Sequence, residues 1–377
     1  MTFDIIGAGI GGLTTAIALE QKGFNVRIFE QAEEIKPVGA GIILANNAMQ
    51  VYDKLGLKKI IEENGNHIST INLTTPNLKA LSTIDLNHFE KKHGVKNVAI
   101  HRGTLQQILM DKLATTKINL NYKLNDVVKN ETGHSLSFEN GLSVQSANLI
   151  GADGIHSKVR QHLFSNNRIR HANQICWRGI TTYTLPSALQ HELNEAWGKN
   201  ERFGFVQIAE NKVYWYALKS FKHDKNEHSL DDLAQSFDNY NSVIKNIIAS
   251  SQKEQINKAE ISDLKPIKIW HKENVCLIGD AAHAATPNMG QGACQAIEDA
   301  YVLAECLNKY ETNRAYAEFQ KLRIKKAQSV VKASWNIGKM AHISNPILKA
   351  IRDQMMRMTP AALGKNRTEQ LFKLAQV

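Results

Sequence analysis

Two glycine clusters set nearly the whole chain apart hold the residues best spaced to do chemistry. One is Ile5-Ile6-Gly7-Ala8-Gly9-Ile10-Gly11-Gly12. The other is Cys276-Leu277-Ile278-Gly279-Asp280-Ala281-Ala282-His283, continued by Pro287-Asn288-Met289-Gly290-Gln291-Gly292-Ala293. In the first, Gly7, Gly9 and Gly12 keep GxGxxG spacing. The first glycine permits a tight turn, the second lets a pyrophosphate approach the backbone, and the third lets a helix pack closely on a strand. Free N–H groups at the start of that helix would face the phosphates.

The elements this needs are legible around it. Positions 3–6 are a short apolar run, and 13–22 follow with helical spacing at Leu13, Ile17 and Leu19. A second strand, 25–29, ends in Glu30, whose carboxylate is placed to accept from a ribose 2′-hydroxyl and disfavours a 2′-phosphate there. Either glycine motif alone is a weak signal. Together they imply one long dinucleotide held along its length, FAD rather than NAD.

The chain has 377 residues and a net charge of +10. That length allows two or three domains or one complex α/β unit. No apolar stretch reaches the roughly 18 to 20 residues of a membrane span. The start reads as a β-strand, not as a charged leader with an apolar core, so a cytoplasmic protein is expected. Cys176, Cys276, Cys294 and Cys306 have no CxxC spacing. Reduced thiols and no metal site are the expectation. Much of the positive charge lies late, from Lys321 to Lys373. It reads as a solvated helix face that steers anionic ligands, and without a nucleic-acid-binding module it does not imply nucleic acid.

A helix is expected at 46–55, short strands and turns at 67–100, and a helix at 102–113. A β-meander is expected over 117–150 and an aromatic β-rich stretch over 170–220. Helices at 229–237 and 240–249, a strand at 274–278, a helix at 291–308 and a long amphipathic helix at 312–341 complete the reading. The dinucleotide domain is then discontinuous, over 1–70, 98–170 and 266–310. A β-rich substrate domain occupies 71–97 and 171–265, and C-terminal helices 311–377.

With Asp153-Gly154-Ile155-His156-Ser157-Lys158-Val159-Arg160 as a third fingerprint, positions 1 to about 340 resemble single-component FAD-dependent monooxygenases, the class of aromatic hydroxylases and urate hydroxylases. The resemblance implies an α/β fold: a glutathione-reductase-like Rossmann domain for FAD, with an inserted mixed β-sheet domain for substrate. It implies that Gly7, Gly9, Gly12 and Glu30 hold the adenosine side and that Arg102 neutralises the pyrophosphate. Leu124 would flank the adenine, and the loop 39–43, with Gly41 and Ile43, would run under the flavin. Asp153 and Arg160 belong to a motif tied to both FAD and NAD(P)H. Asp280 would accept from the ribityl chain, and Gly290, Gly292 and Ala293 would bring a helix N-terminus to the flavin pyrimidine edge, where reduced flavin is anionic. Cys294 departs from the asparagine common there, so backbone rather than side chain is expected to bind.

On the substrate side, Arg202 and Tyr214 are the catalytic candidates, with Arg178, Trp215 and Pro287 as substrate-binding residues. Arg178 stands where urate-hydroxylating members tend to have asparagine, which leaves the substrate open. His283 and Pro287 also read as structural parts of the flavin loop. The implied reaction reduces FAD with transient NADH or NADPH, adds O₂ to give a C4a-hydroperoxide, and oxygenates a planar aromatic or heterocyclic small molecule. A flavin oxidase or reductase on the same fold stays open. So does a membrane-surface enzyme using the basic helix 344–358, although core or dimer packing accounts for Met355, Met356 and Met358. A monomer or homodimer is expected, with no membrane partner.

Overall fold

The computed structural model describes residues 1–36, 40–164, 168–222 and 229–377. Its first sheet brings the three fingerprints together. Thr2–Ile6 pairs in parallel with Asn25–Phe29 on one side and Leu149–Gly151 on the other, and Leu149–Gly151 pairs in parallel with Val275–Leu277. Lys117–Asn119 extends one edge in parallel, and His271–Lys272 closes the other antiparallel. Phe3, Ile5, Ile28, Leu149, Ile150, Cys276 and Leu277 are fully buried, as parallel strands covered on both faces require. Every fingerprint follows the C-terminal end of one of three adjacent strands, so the turns line up at one edge. The amide of Ala152 donates to Ile6 and that of Ile278 to Gly151.

The helices that cover this sheet include Ile10–Glu20 and Gly292–Lys309. They approach so closely that a Cβ on Gly11 would lie 3.2 Å from the Ala296 methyl.

The second sheet runs in the order Asn257–Leu264, Ile169–Thr182, Lys212–Ser220, Glu201–Ala209, Glu192–Trp197, Thr70–Thr74, Ala80–Asp85. It is antiparallel except where Glu192–Trp197 meets Thr70–Thr74. Strand alternation gives it two faces. On one, Trp177, Phe203, Phe205 and Trp215 form a buried core with Leu233, Phe237, Ile244 and Ile247 beside the helices Asp232–Ser236 and Ser242–Ala249. The other carries Arg178, Arg202, Tyr214 and Tyr216, whose registers coincide. Smaller sheets join Gly41–Leu44 to Asn97–His101 and Asn66–Ile68, and form a meander of Leu124–Asn130, Gly133–Phe138 and Ser143–Ser146.

The C-terminal helices are Thr312–Ala341, Pro346–Met358 and Ala361–Phe372. The first has the expected bounds: buried positions recur at helical spacing from Ala315 to Ala341, mostly apolar but including Arg323 and Ser334.

Three expectations change. Residues Asn87–His93, expected as strand or turn, form a helix ended by Gly94 in the left-handed region at φ 71°. Lys117–Asn119 leaves the expected meander for the parallel sheet. Met355 and Met358 do not enter the core of the protomer; both side chains are exposed.

Candidate active site

At the shared strand edge, Gly7 (φ +105°) is so close to the next strand that a Cβ would stand 2.6 Å from the Ala152 carbonyl oxygen. A Cβ on Gly12 would overlap the Gly7 carbonyl oxygen. Gly9 is different: a Cβ there would meet nothing within 4 Å. Gly9 also precedes a helix whose start has no side-chain cap and no acidic residue in its first turn. The result is an open backbone cradle with positive polarity. Glu30 is fixed beside it, accepting from the Ala8 amide at 2.7 Å and the Ala32 amide at 3.0 Å, with carboxylate lone pairs to spare. Tyr122 reaches the same corner by donating its amide to the Glu30 carbonyl, whereas the Leu124 side chain lies in the core.

The second fingerprint is largely self-supporting. Asp153 accepts from the amides of Lys158 (2.7 Å) and Val159 (3.1 Å), and Ser157 caps the same helix, Lys158–Leu163. Burial raises the Asp153 carboxyl above its ordinary range, against the pull of those hydrogen bonds. Arg160 is buried and donates to the carbonyls of Ile155 and Ala281 (2.7 Å), which clamps this turn to the third fingerprint.

That third fingerprint leaves Asp280 open. Among the described residues Asp280 makes no hydrogen bond. The surrounding protein raises its carboxyl, opposed by the charges of His283, Arg102 and Arg160. Arg102 opens the helix Arg102–Lys112, is exposed and forms no ion pair among the described residues. Its amide donates to the Ala40 carbonyl beside Gly41, and its charge acts on both Asp280 and Tyr214. Gly290 takes φ 62° just before Gly292–Lys309, a second helix whose start has neither a side-chain cap nor first-turn acid. Cys294 turns away from that start: its thiol donates toward the Ile43 carbonyl at 3.5 Å and accepts from the Ala45 amide at 3.4 Å. Burial pushes this thiol up to about 11.

Tyr214 links the sheets, since a Cβ on Gly41 would overlap its ring. Gly39, in the same loop, lies outside the described residues. Arg178 is half-buried near Tyr214, and its side chain makes no hydrogen bond among the described residues. Trp215 is placed elsewhere: it points to the opposite face, stacks on Phe203 at 5.5 Å and donates to Ser251 at 2.8 Å. Pro287 is exposed and opens the short 3₁₀ turn Pro287–Met289.

Arg202 is 1 % exposed and donates to Glu195 Oε1 at 2.8 Å and to the Asn288 side chain. Glu195 also accepts from Trp197 Nε1 at 2.6 Å and from the Tyr216 hydroxyl. Glu195, Tyr216 and Asn288 therefore complete a buried cluster that the sequence reading did not assign. Glu195 is one of two acids in 192–197, and the pairing of its strand with Glu201–Ala209 sets it on the same face as Arg202. Glu195→Ala should lower stability by about 3 kcal/mol or more, because Arg202 is left buried without its counter-ion. An unchanged urea midpoint would refute that.

The FAD binding domain family model matches residues 2–333. The chain belongs to this family. It is a flavoprotein monooxygenase: it is 33% identical to the aurachin C monooxygenase/isomerase of Stigmatella aurantiaca, over 95% of this chain and 94% of that protein. It is 29% identical to the 2-heptyl-3-hydroxy-4(1H)-quinolone synthase of Pseudomonas aeruginosa, over 99% of this chain and 98% of that one. The solved structure of Klebsiella pneumoniae HpxO complexed with FAD and uric acid superposes with a TM-score of 0.88 at 22% identity, covering 99% of this chain and 96% of that one.

FAD fits the residues of this flavoprotein. The open side of Gly9, two uncapped helix starts, and the uncommitted side chains of Asp280 and Arg102 suit an extended anionic dinucleotide with a polyol chain. All four cysteines are free and buried, which takes them away from that chemistry.

Proposed function

We propose that this flavoprotein uses NADH or NADPH and O₂ to hydroxylate a planar heteroaromatic compound bearing an exocyclic oxygen. The observation that carries this reading is one sheet face, with Arg178, Arg202, Tyr214 and Tyr216, set against Gly41 next to Arg102 and Asp280. The first sheet then acts as a Rossmann-type domain of the glutathione-reductase kind and the second as the substrate domain, with the boundaries expected from sequence.

Gly7, Gly9, Gly12, Glu30, Arg102 and Asp280, with the amides of Gly292 and Ala293, would hold FAD. Leu124 and Ile43 contribute through their backbones, and Asp153 supports the turn. Bound FAD supplies the redox step, taking reducing equivalents from NAD(P)H and passing activated oxygen to substrate. The protein's residues orient the acceptor. Tyr214 and Tyr216, with ring centroids 5.9 Å apart, offer a wall to a flat ring. The Arg178 side chain meets an anionic exocyclic oxygen and keeps the heterocycle electron-rich. Arg202, locked by Glu195 and Asn288, fixes Tyr216 and the 287–289 turn around it, and burial raises the Tyr216 hydroxyl so that it stays protonated as a donor. The quinolone in one relative's name and the uric acid in the HpxO complex are both flat oxygenated heterocycles.

The test has two parts. Asp280→Ala should retain its fold, because Asp280 makes no hydrogen bond, and lose FAD affinity by about tenfold to a hundredfold as charge-assisted bonds vanish. Unchanged flavin content sinks the cofactor assignment. NADH and NADPH oxidation is then followed with O₂ uptake and peroxide, with and without 2-alkyl-4-quinolones, uric acid and salicylate-like phenols. Faster turnover with little peroxide supports the reading. No NAD(P)H oxidation with any compound would transfer it to the oxidase class.

A further inference from the structure

The helix Pro346–Met358 is well formed at its start. Asn345 Oδ1 accepts from the amides of Ile347 (2.9 Å) and Leu348 (3.1 Å), and Pro346 occupies the first turn. Its inward side is narrow. Arg352 and Asp353 are buried, and Arg352 donates to the carbonyls of Met340 (3.2 Å) and Ala341 (3.1 Å), which caps the preceding helix. The remaining circumference is open and mostly apolar. Ile347 is 70%, Met355 66% and Met358 71% exposed, and Leu348 and Ile351 are about half exposed. Steps of four, four and three align Ile347, Ile351, Met355 and Met358 in one stripe. Met340, whose carbonyl accepts from Arg352, is also exposed. A contiguous apolar stripe of this kind marks an interaction surface.

The surroundings select the partner. The acids nearby are committed: Asp353 to Arg352 and Lys349, and Glu369 to Lys92. Lys339, Arg357, Lys365 and Arg367 are exposed and form no ion pair among the described residues. A two-fold contact with a second copy would set this unpaired basic rim against itself. An anionic, apolar-cored surface satisfies both features at once. No helix among the described residues is long and apolar enough to cross a membrane, so the contact is with a surface.

We propose that the outer face of Pro346–Met358 docks the flavoprotein on an anionic phospholipid surface, the apolar stripe entering the acyl boundary and the basic rim meeting headgroup phosphates. The helix is joined to the substrate side of the site. Arg352 lies 5.2 Å from the Trp197 ring centroid, and Trp197 donates to Glu195, which holds Arg202. Resting on the monooxygenase reading above, docking brings that side to the phase where an alkylated heteroaromatic compound partitions.

The holoenzyme is sedimented with vesicles of phosphatidylcholine alone, or of phosphatidylcholine with about one-third phosphatidylglycerol, at low and high salt. The wild type should pellet with the anionic vesicles only, less so at high salt. Ile351→Glu/Met355→Glu should bind more than about tenfold more weakly. Arg357→Ala should bind about fivefold more weakly. All changed positions are solvent-facing, and flavin content and absorbance confirm the folded holoenzyme. Wild type left in the supernatant, or a double-glutamate variant that pellets like wild type, overturns the proposal. A vesicle-free dimer that the double variant splits overturns it in favour of a contact between copies. Because none of these readouts involves turnover, their failure is separable from failure of the oxygenation assay.

Discussion

Arg323→Met should cost about 3–5 kcal/mol of folding stability, since it leaves two buried carboxylates without their main counter-ion. Arg323 comes from Thr312–Ala341 and is fully buried. Its Nε donates to Asp299 at 2.8 Å, its NH1 to Glu298, and its NH2 to the Gln295 side chain at 2.8 Å. Lys326 completes the group, reaching both Glu298 oxygens at 2.9 and 2.7 Å.

The network does more than join two helices. The second oxygen of Asp299 accepts from the Gly279 amide at 3.0 Å and contacts His283 Nε2 at 2.5 Å. The turn that presents Asp280 therefore hangs from Asp299. Loosening Asp299 should weaken FAD retention together with stability, and Arg323→Lys should not rescue it, because one ammonium cannot reproduce the guanidinium fork.

The pH dependence has a definite sign. Burial raises the Asp299 carboxyl, but the charges of His283 and Arg323 overcome this and bring it to about 2. A depressed carboxyl stabilises the fold above its unfolded value near 3.8, and that contribution is lost as pH falls toward 2. Arg323→Met should begin to lose this stability at higher pH. Urea unfolding at neutral pH and down through the acid range measures both effects. Equal midpoints for wild type and variant would show that the network is energetically idle.

The glycine pair separates folding from cofactor binding. Gly12→Ala should fail at the level of the fold, because its Cβ would overlap the Gly7 carbonyl oxygen where helix Ile10–Glu20 meets the strand end. A loss of about 3 kcal/mol or more is expected. At Gly9, φ is −72° and the space is open, so Gly9→Ala should leave apoprotein stability within about 0.5 kcal/mol. Its methyl would nevertheless occupy the side from which a pyrophosphate approaches, and FAD should bind at least about tenfold more weakly. Apoprotein melting and flavin titration decide this. Gly9→Ala with wild-type FAD affinity would place the dinucleotide elsewhere.

What could be read from sequence was what short-range geometry constrains. A strand, a glycine turn and a helix within some twenty residues leave a local signature, and three such signatures in order carry the resemblance to flavoprotein monooxygenases. Helix Thr312–Ala341 was legible for the same reason.

Side-chain direction in the second sheet was not legible. Tyr214, Trp215 and Tyr216 are consecutive aromatics, and only the pairing of their strand decides that Tyr214 faces Gly41 with Tyr216 on the same side, while Trp215 enters the opposite core. Glu195 gains its role from Arg202 in the neighbouring strand, and Asp299 from Arg323 in another helix. Likewise, the apolar spacing of Pro346–Met358 is the same whether the helix is covered or bare. Its tertiary placement decides the matter: Arg352 and Asp353 face inward, and the isoleucine–methionine stripe faces out. The sequence alone determined which backbone turns could hold a dinucleotide, because a turn is specified by its own residues. Only the tertiary structure decided which side chains meet a substrate or a surface, because those meetings join residues far apart in the chain.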